Sequence, residues 1–217
     1  MVQLVPAVGD RVRPGGALLN VYGEHALSER KLRRAVVLGD ERTLDNDPAF
    51  AIRVLIDIAI RALSPAVNDP TTAVQSIDRI EDLLRYAAAK HLADGRVRDH
   101  RGSTRLIYPT PVWEDLVALA LDEIRAFGAG QYQIARRVRA LLDDVPERRR
   151  PALLAQRAPL DDAVVRRFPE DQRADALVAD RQGLGMSRRL SATGSDRRPA
   201  EREISSRRGD AGPEAVP

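Results

Sequence analysis

The stretch AIRALSPAVNDPTTAVQSI, residues 59–77, decides the reading of this chain. Its first residues end one very apolar segment and its last open another. Between them lie two prolines and a run of Ser, Asn, Asp and Thr. Pro65 stops a helix, because a proline ring clashes with a preceding helical turn. Asp69 followed by Pro70 starts the next, with a carboxylate for the free amides and a residue preset for the first helical position. The junction therefore joins two core helices, and it is also the densest collection of polar groups in the chain.

Working outward, the same cap-then-proline signal recurs at Asp47-Pro48 and predicts a helix over 48–63. That helix is apolar almost all round, with Phe50, Ile52, Val54, Leu55, Ile56, Ile58, Ile60 and Leu63. Its polar stripe is Arg53, Asp57 and Arg61, spaced four apart. Such a pattern is expected of a helix central to a fold. Apolar periodicity predicts further helices over 70–92, 112–127 and 131–142. Gly128 and Gly130 break the last two apart. A shorter helix is expected over 27–38 with Ser28 as its cap, and others near 149–157, 160–168 and 170–182. Residues 93–104 read as a charged loop, with a short strand at 105–108. The first 23 residues read as two short strands around turns at Gly9-Asp10 and Pro14-Gly15-Gly16. A lone hairpin is marginal in water, so it needs a partner sheet, which the chain does not obviously contain.

The expected fold class is thus mainly α: an orthogonal or bundle-like helical domain (24–185), a small N-terminal β-hairpin (1–23), and a disordered tail (186–217). Hydrophobic residues make up 43% of the 217-residue chain but aromatics only 4%, so the core is mainly Leu, Ile, Val and Ala, which suits packed helices. The pI of about 9.7 suggests nucleic acid as a partner. Yet the segment 186–217 holds seven arginines against five acidic residues, which accounts for most of the net charge of +3. The body is balanced, and no nucleic-acid partner is expected.

No cysteine is present, which excludes disulfides and thiolate chemistry. His25, His91 and His100 have no ligand spacing, so neither a metal nor a cofactor is expected. No P-loop, dinucleotide fingerprint or nucleophile elbow occurs, and no catalytic residue is assigned. The speculative site is the junction itself: Arg61, Asn68, Asp69, Thr71 and Thr72. Amides at the start of the Pro70 helix could bind an anion there, and capping alone is the competing explanation. No apolar run is long enough to cross a membrane, so the chain as written is expected to be soluble and cytoplasmic.

Several of these segments carry a family resemblance. VGDRVRPGGALLNV (8–21) resembles half of a biotinyl- or lipoyl-type barrel-sandwich domain, without the modified lysine. GDERT (39–43), DPAFAIR (47–53), ALSPAVNDPTTA (62–73) and PVWEDL (111–116) resemble the signature region of domain-of-unknown-function family 2254, bacterial predicted membrane proteins. The similarity spans roughly residues 8–180. It implies several N-terminal transmembrane helices ahead of a soluble C-terminal region, so that this chain looks like a truncated member. The implied partner is that membrane-embedded region, with homo-oligomers as a further expectation. The implied role is assembly, regulation or ligand sensing, and an enzyme-like anion site at the junction is the alternative. The resemblance brings no catalytic residues.

Overall fold

The computed structural model describes residues 1–23, 27–42, 47–144 and 149–186. Along the chain run β1 (Val2–Leu4), β2 (Leu19–Val21), α1 (Glu29–Ala35), α2 (Pro48–Ala62), α3 (Pro70–Ala89), β3 (Arg96–Arg98) and β4 (Thr104–Ile107). They are followed by α4 (Trp113–Gly128), α5 (Tyr132–Asp143), α6 (Arg150–Ala155), α7 (Arg157–Arg167) and α8 (Glu170–Ala176). The protein is mainly α, with one small sheet. The segment read as a disordered tail lies outside the described residues except for Met186, and His25 lies outside them too.

Both cap-then-proline signals start helices as the chemistry dictates. Asp47 Oδ1 accepts from the amide of Phe50 at 2.9 Å, and Asp69 Oδ1 from that of Thr72 at 3.1 Å. Pro48 and Pro70 occupy the first turns. The core is built from α2, α3, α4 and α5, with Ile56, Ile77, Ile80, Leu84, Ile124, Ile134 and Leu141 fully buried. Trp113 is buried at the start of α4 and donates its indole N–H to the Arg149 carbonyl at 3.1 Å. Gly128 closes α4 where a Cβ would run into Ile134 and touch Leu63. This glycine lets the α2 end, α4 and α5 approach closely, beyond merely breaking a helix.

The apolar α2 is central to this core, burying Ile52, Ile56, Ala59 and Ala62, while Ile58 on its outer side is 41% exposed. Two expectations need correction. The hairpin does find a partner sheet. Residues read as a loop form β3, which pairs antiparallel with β4, and β4 pairs in parallel with β1. The strand order is β2-β1-β4-β3. Asp99 organises the β3–β4 turn: its Oδ1 accepts from the amides of Arg101 and Ser103, and its Oδ2 from Arg105.

The second correction is that the last predicted helix stops at Ala176 rather than running to residue 182. Beyond it the chain wraps around the buried Asp180. The two carboxylate oxygens accept from the amides of Gln182, Gly183, Gly185 and Met186 at 2.6–3.2 Å. Gly183 and Gly185 take positive φ there, and a Cβ on Gly183 would collide with Val74. Arg136 ties this loop to α5, donating to the carbonyls of Asp175 and Gly185.

Candidate functional site

The structure accounts for the polar residues of the 61–72 junction one by one. Asn68 takes a left-handed conformation (φ 47°), which Asn tolerates better than most residues. Its amide and that of Val67 donate to the Ser64 carbonyl, while the Asp69 amide reaches back to the Ala62 carbonyl at 2.8 Å. Asp69 then caps α3 with both oxygens: Oδ1 takes the Thr72 amide and Oδ2 the Thr72 hydroxyl at 2.6 Å. These Thr72 bonds hold the Asp69 carboxyl below its ordinary range. Thr71 and Arg61 are exposed, and Arg61 makes no ion pair among the described residues. The five residues lie along the α2–α3 junction, Arg61 in the last turn of α2 and Thr71 and Thr72 in the first of α3, and Asp69 engages Thr72 with both oxygens. The Asp69 carboxylate already sits where an anion at this helix start would bind.

The Arg53–Asp57–Arg61 stripe resolves differently from a simple chain of pairs. Arg53 bonds Asp57 one turn on and also Glu123 of α4, so it bridges two core helices. Its hydrogen bonds hold Glu123 below the ordinary carboxylate range.

A groove of about 390 Å³ lies between α3 and α5, lined by Asp78, Glu81, Arg85, Arg137 and Asp144 among others. Arg137 is nearly buried and donates to Asp78 at 2.6 Å and to Glu81. Arg85 holds the other Glu81 oxygen at 3.0 Å and reaches Asp144 at 2.5 Å. Burial pulls the Arg137 guanidinium down, but the bonds to Glu81 and Asp78 outweigh it and leave it above its ordinary value. These ion pairs staple two helices. Among the described residues no cluster of three or more acidic or histidine side chains is placed to hold a metal.

The sequence led to the hairpin strands and to a strand near β4, and what it missed is β3 and the pairing that joins all four. The sheet's register sets Val21, Val2, Leu106 and Val97 side by side across all four strands, with Leu19 and Leu4 paired on the same face. The opposite face carries Asn20, Gln3, Ile107 and Arg96 in the corresponding row. None of the six apolar residues belongs to the helical core. Val21 is 44% and Val97 48% exposed, and the other four are half-buried. Nearby in sequence, α1 buries no residue, and Val37 and Leu38 are exposed. The alternation Val2-x-Leu4 and Leu19-x-Val21 was visible in the sequence. The pairing that turns it into a four-strand face was not.

Comparison with known proteins places these observations. The model of a family described as "Predicted membrane protein (DUF2254)" matches residues 1–144. Uncharacterized proteins of Mycobacterium bovis and of two Mycobacterium tuberculosis strains are each 32% identical over 189 residues. Each match covers 81% of this chain and 36% of the relative, so the chain spans about a third of the length of the curated relatives it matches. No solved structure matches the chain. No helix among the described residues is long and apolar enough to cross a membrane.

Proposed function

Because the chain belongs to the DUF2254 family of predicted membrane proteins, we propose that it acts as an extramembrane helical region of such a protein, with a role in assembly or regulation. In this reading the apolar face of the sheet seats against the membrane-embedded region. The observation that carries it is that face: six apolar side chains in register, two of them close to half exposed, and none among the described residues that form the helical core or pack against it. A sheet buries its apolar face against another layer, and soluble monomers rarely leave such a surface uncovered. The relatives supply ample further chain, since this one spans 36% of their length. The polar clusters support the same reading, because the junction carboxylate and the α3–α5 charges are committed to capping and to stapling helices.

The test is co-purification in detergent of this chain with the part of the M. tuberculosis relative that it does not match. The wild type is expected to co-purify. Val97→Asp, which sets a carboxylate in the seat at an exposed position, is expected to abolish recovery while leaving the helical circular dichroism unchanged. Recovery of that variant at the wild-type level, or no recovery of the wild type, would overturn the proposal.

A further inference from the structure

The sheet also has two edges, and they differ. β3 ends one side with Arg96, Val97 and Arg98, all exposed, and two like charges oppose pairing with another β3. β2 ends the other side with Leu19, Asn20 and Val21, and carries no charge.

The hydrogen-bond phase of β2 follows from its ladder to β1. Tyr22 N donates to the Met1 carbonyl at 2.8 Å and Val5 N to the Leu18 carbonyl at 2.9 Å. In the antiparallel register Gln3↔Asn20, hydrogen-bonded pairs alternate, so Asn20 and Tyr22 turn their backbone groups inward to β1. Leu19 and Val21 consequently point their N–H and C=O groups out to the open edge.

That pattern is self-complementary. If a second copy approaches antiparallel about a two-fold axis at Asn20, Leu19 of each chain lies opposite Val21 of the other. Both pairs are then hydrogen-bonded pairs, giving four N–H···O=C bonds. Asn20 meets the Asn20 of the second copy as a close, non-hydrogen-bonded pair, and the two side-chain amides can bond each other. Leu19 and Val21 extend the apolar face across the axis without a break, and no like charges meet.

We propose that β2 is a dimerisation edge, pairing with β2 of a second copy of this chain to make one continuous eight-strand sheet. The contact is isologous and closes on itself, as most homodimer contacts do. It goes beyond the assembly role inferred above and uses the edge rather than the face, so either can fail without the other.

The test uses all 217 residues of the chain, which contains no cysteine, so that each introduced thiol is unique. Asn20→Cys places two thiols across the axis at about 4.5–5.5 Å between Cβ atoms, within a small adjustment of disulfide geometry. Mild oxidation is expected to give a disulfide dimer at least about tenfold faster than the exposed control Thr71→Cys, because pairing replaces chance collision with a high local concentration. By sedimentation equilibrium the wild type is expected at twice its 23.9 kDa chain mass. Val21→Pro removes an outward N–H and no bond to β1, and an edge strand tolerates proline. It is expected to sediment as a monomer with unchanged circular dichroism. A monomeric wild type, equal oxidation rates for the two cysteine variants, or a Val21→Pro variant that stays dimeric would each overturn the proposal.

Discussion

Arg137→Met probes the staple between α3 and α5. The guanidinium side chain is 7% exposed and donates to Asp78, 47% exposed, and to Glu81, 11% exposed. Removing it strands Glu81, which keeps only Arg85, itself 43% exposed, as a charged donor. Breaking a buried pair from one side costs about 3–5 kcal/mol. Asp78 can recover solvent and Arg85 remains, so the expected loss lies lower, at about 2–4 kcal/mol. With a melting shift of roughly 2–4 °C per kcal/mol for a body of this size, that is about 4–16 °C. The double variant Arg137→Met/Glu81→Leu removes both charges and is expected to recover most of the loss, since apolar residues often replace a buried pair without penalty. Thermal and urea unfolding followed by circular dichroism measure both. A single variant within about 0.5 kcal/mol of wild type would mean that solvent already screens the pair. A double variant as weak as the single would mean that packing, and not a stranded carboxylate, sets the cost.

Further outcomes follow from the same packing and capping. Ile56→Asp puts an unpaired charge at a fully buried site in α2, a cost of several kcal/mol against a typical stability of about 5–15, and soluble expression is expected to be lost. Asp69→Asn should leave the unfolding midpoint almost unchanged, because Asn caps about as well as Asp, whereas Asp69→Ala should lose about 0.5–2 kcal/mol. Gly128→Ala should destabilise by about 1–3 kcal/mol, as its methyl group is forced onto Ile134, and urea titration reads this directly. The bond from Arg53 depresses the Glu123 carboxyl in the folded state, so its contribution is fully present above the unfolded value of about 4.3 and is lost as pH falls through the lower folded value. Unfolding curves of Glu123→Gln should accordingly show a flatter stability profile than wild type in that acid range.

The helices were legible because their signals are local. Asp47-Pro48 and Asp69-Pro70 state a cap and a first turn within two residues, and the apolar spacing of α3 to α5 marks a buried stripe. What escaped the sequence depends on distant partners. Arg96–Arg98 looks like loop because three residues hold little periodicity, and only pairing with β4 makes them a strand. The parallel contact of Val2 with Leu106 joins positions over a hundred residues apart, and nothing local encodes it. The end of α8 was misplaced for a related reason. Asp180 reads as one more helical acid until its carboxylate is seen gathering four amides. At the junction, residue types and turn were both readable in sequence, and the structure shows Asp69 committed to Thr72.

If the apolar sheet face is a seat for a membrane-embedded region, as proposed, binding must cover it. The direct measurement is thiol alkylation of Val97→Cys in the otherwise cysteine-free chain, alone and bound to the part of the M. tuberculosis relative that the chain does not match, with the exposed Glu170→Cys as a control. Fast alkylation of the free chain is expected at both positions, and a drop of at least about tenfold on binding at position 97 alone, since a covered thiol loses access to reagent. An unchanged rate at position 97 in the bound state, with binding confirmed, would contradict it.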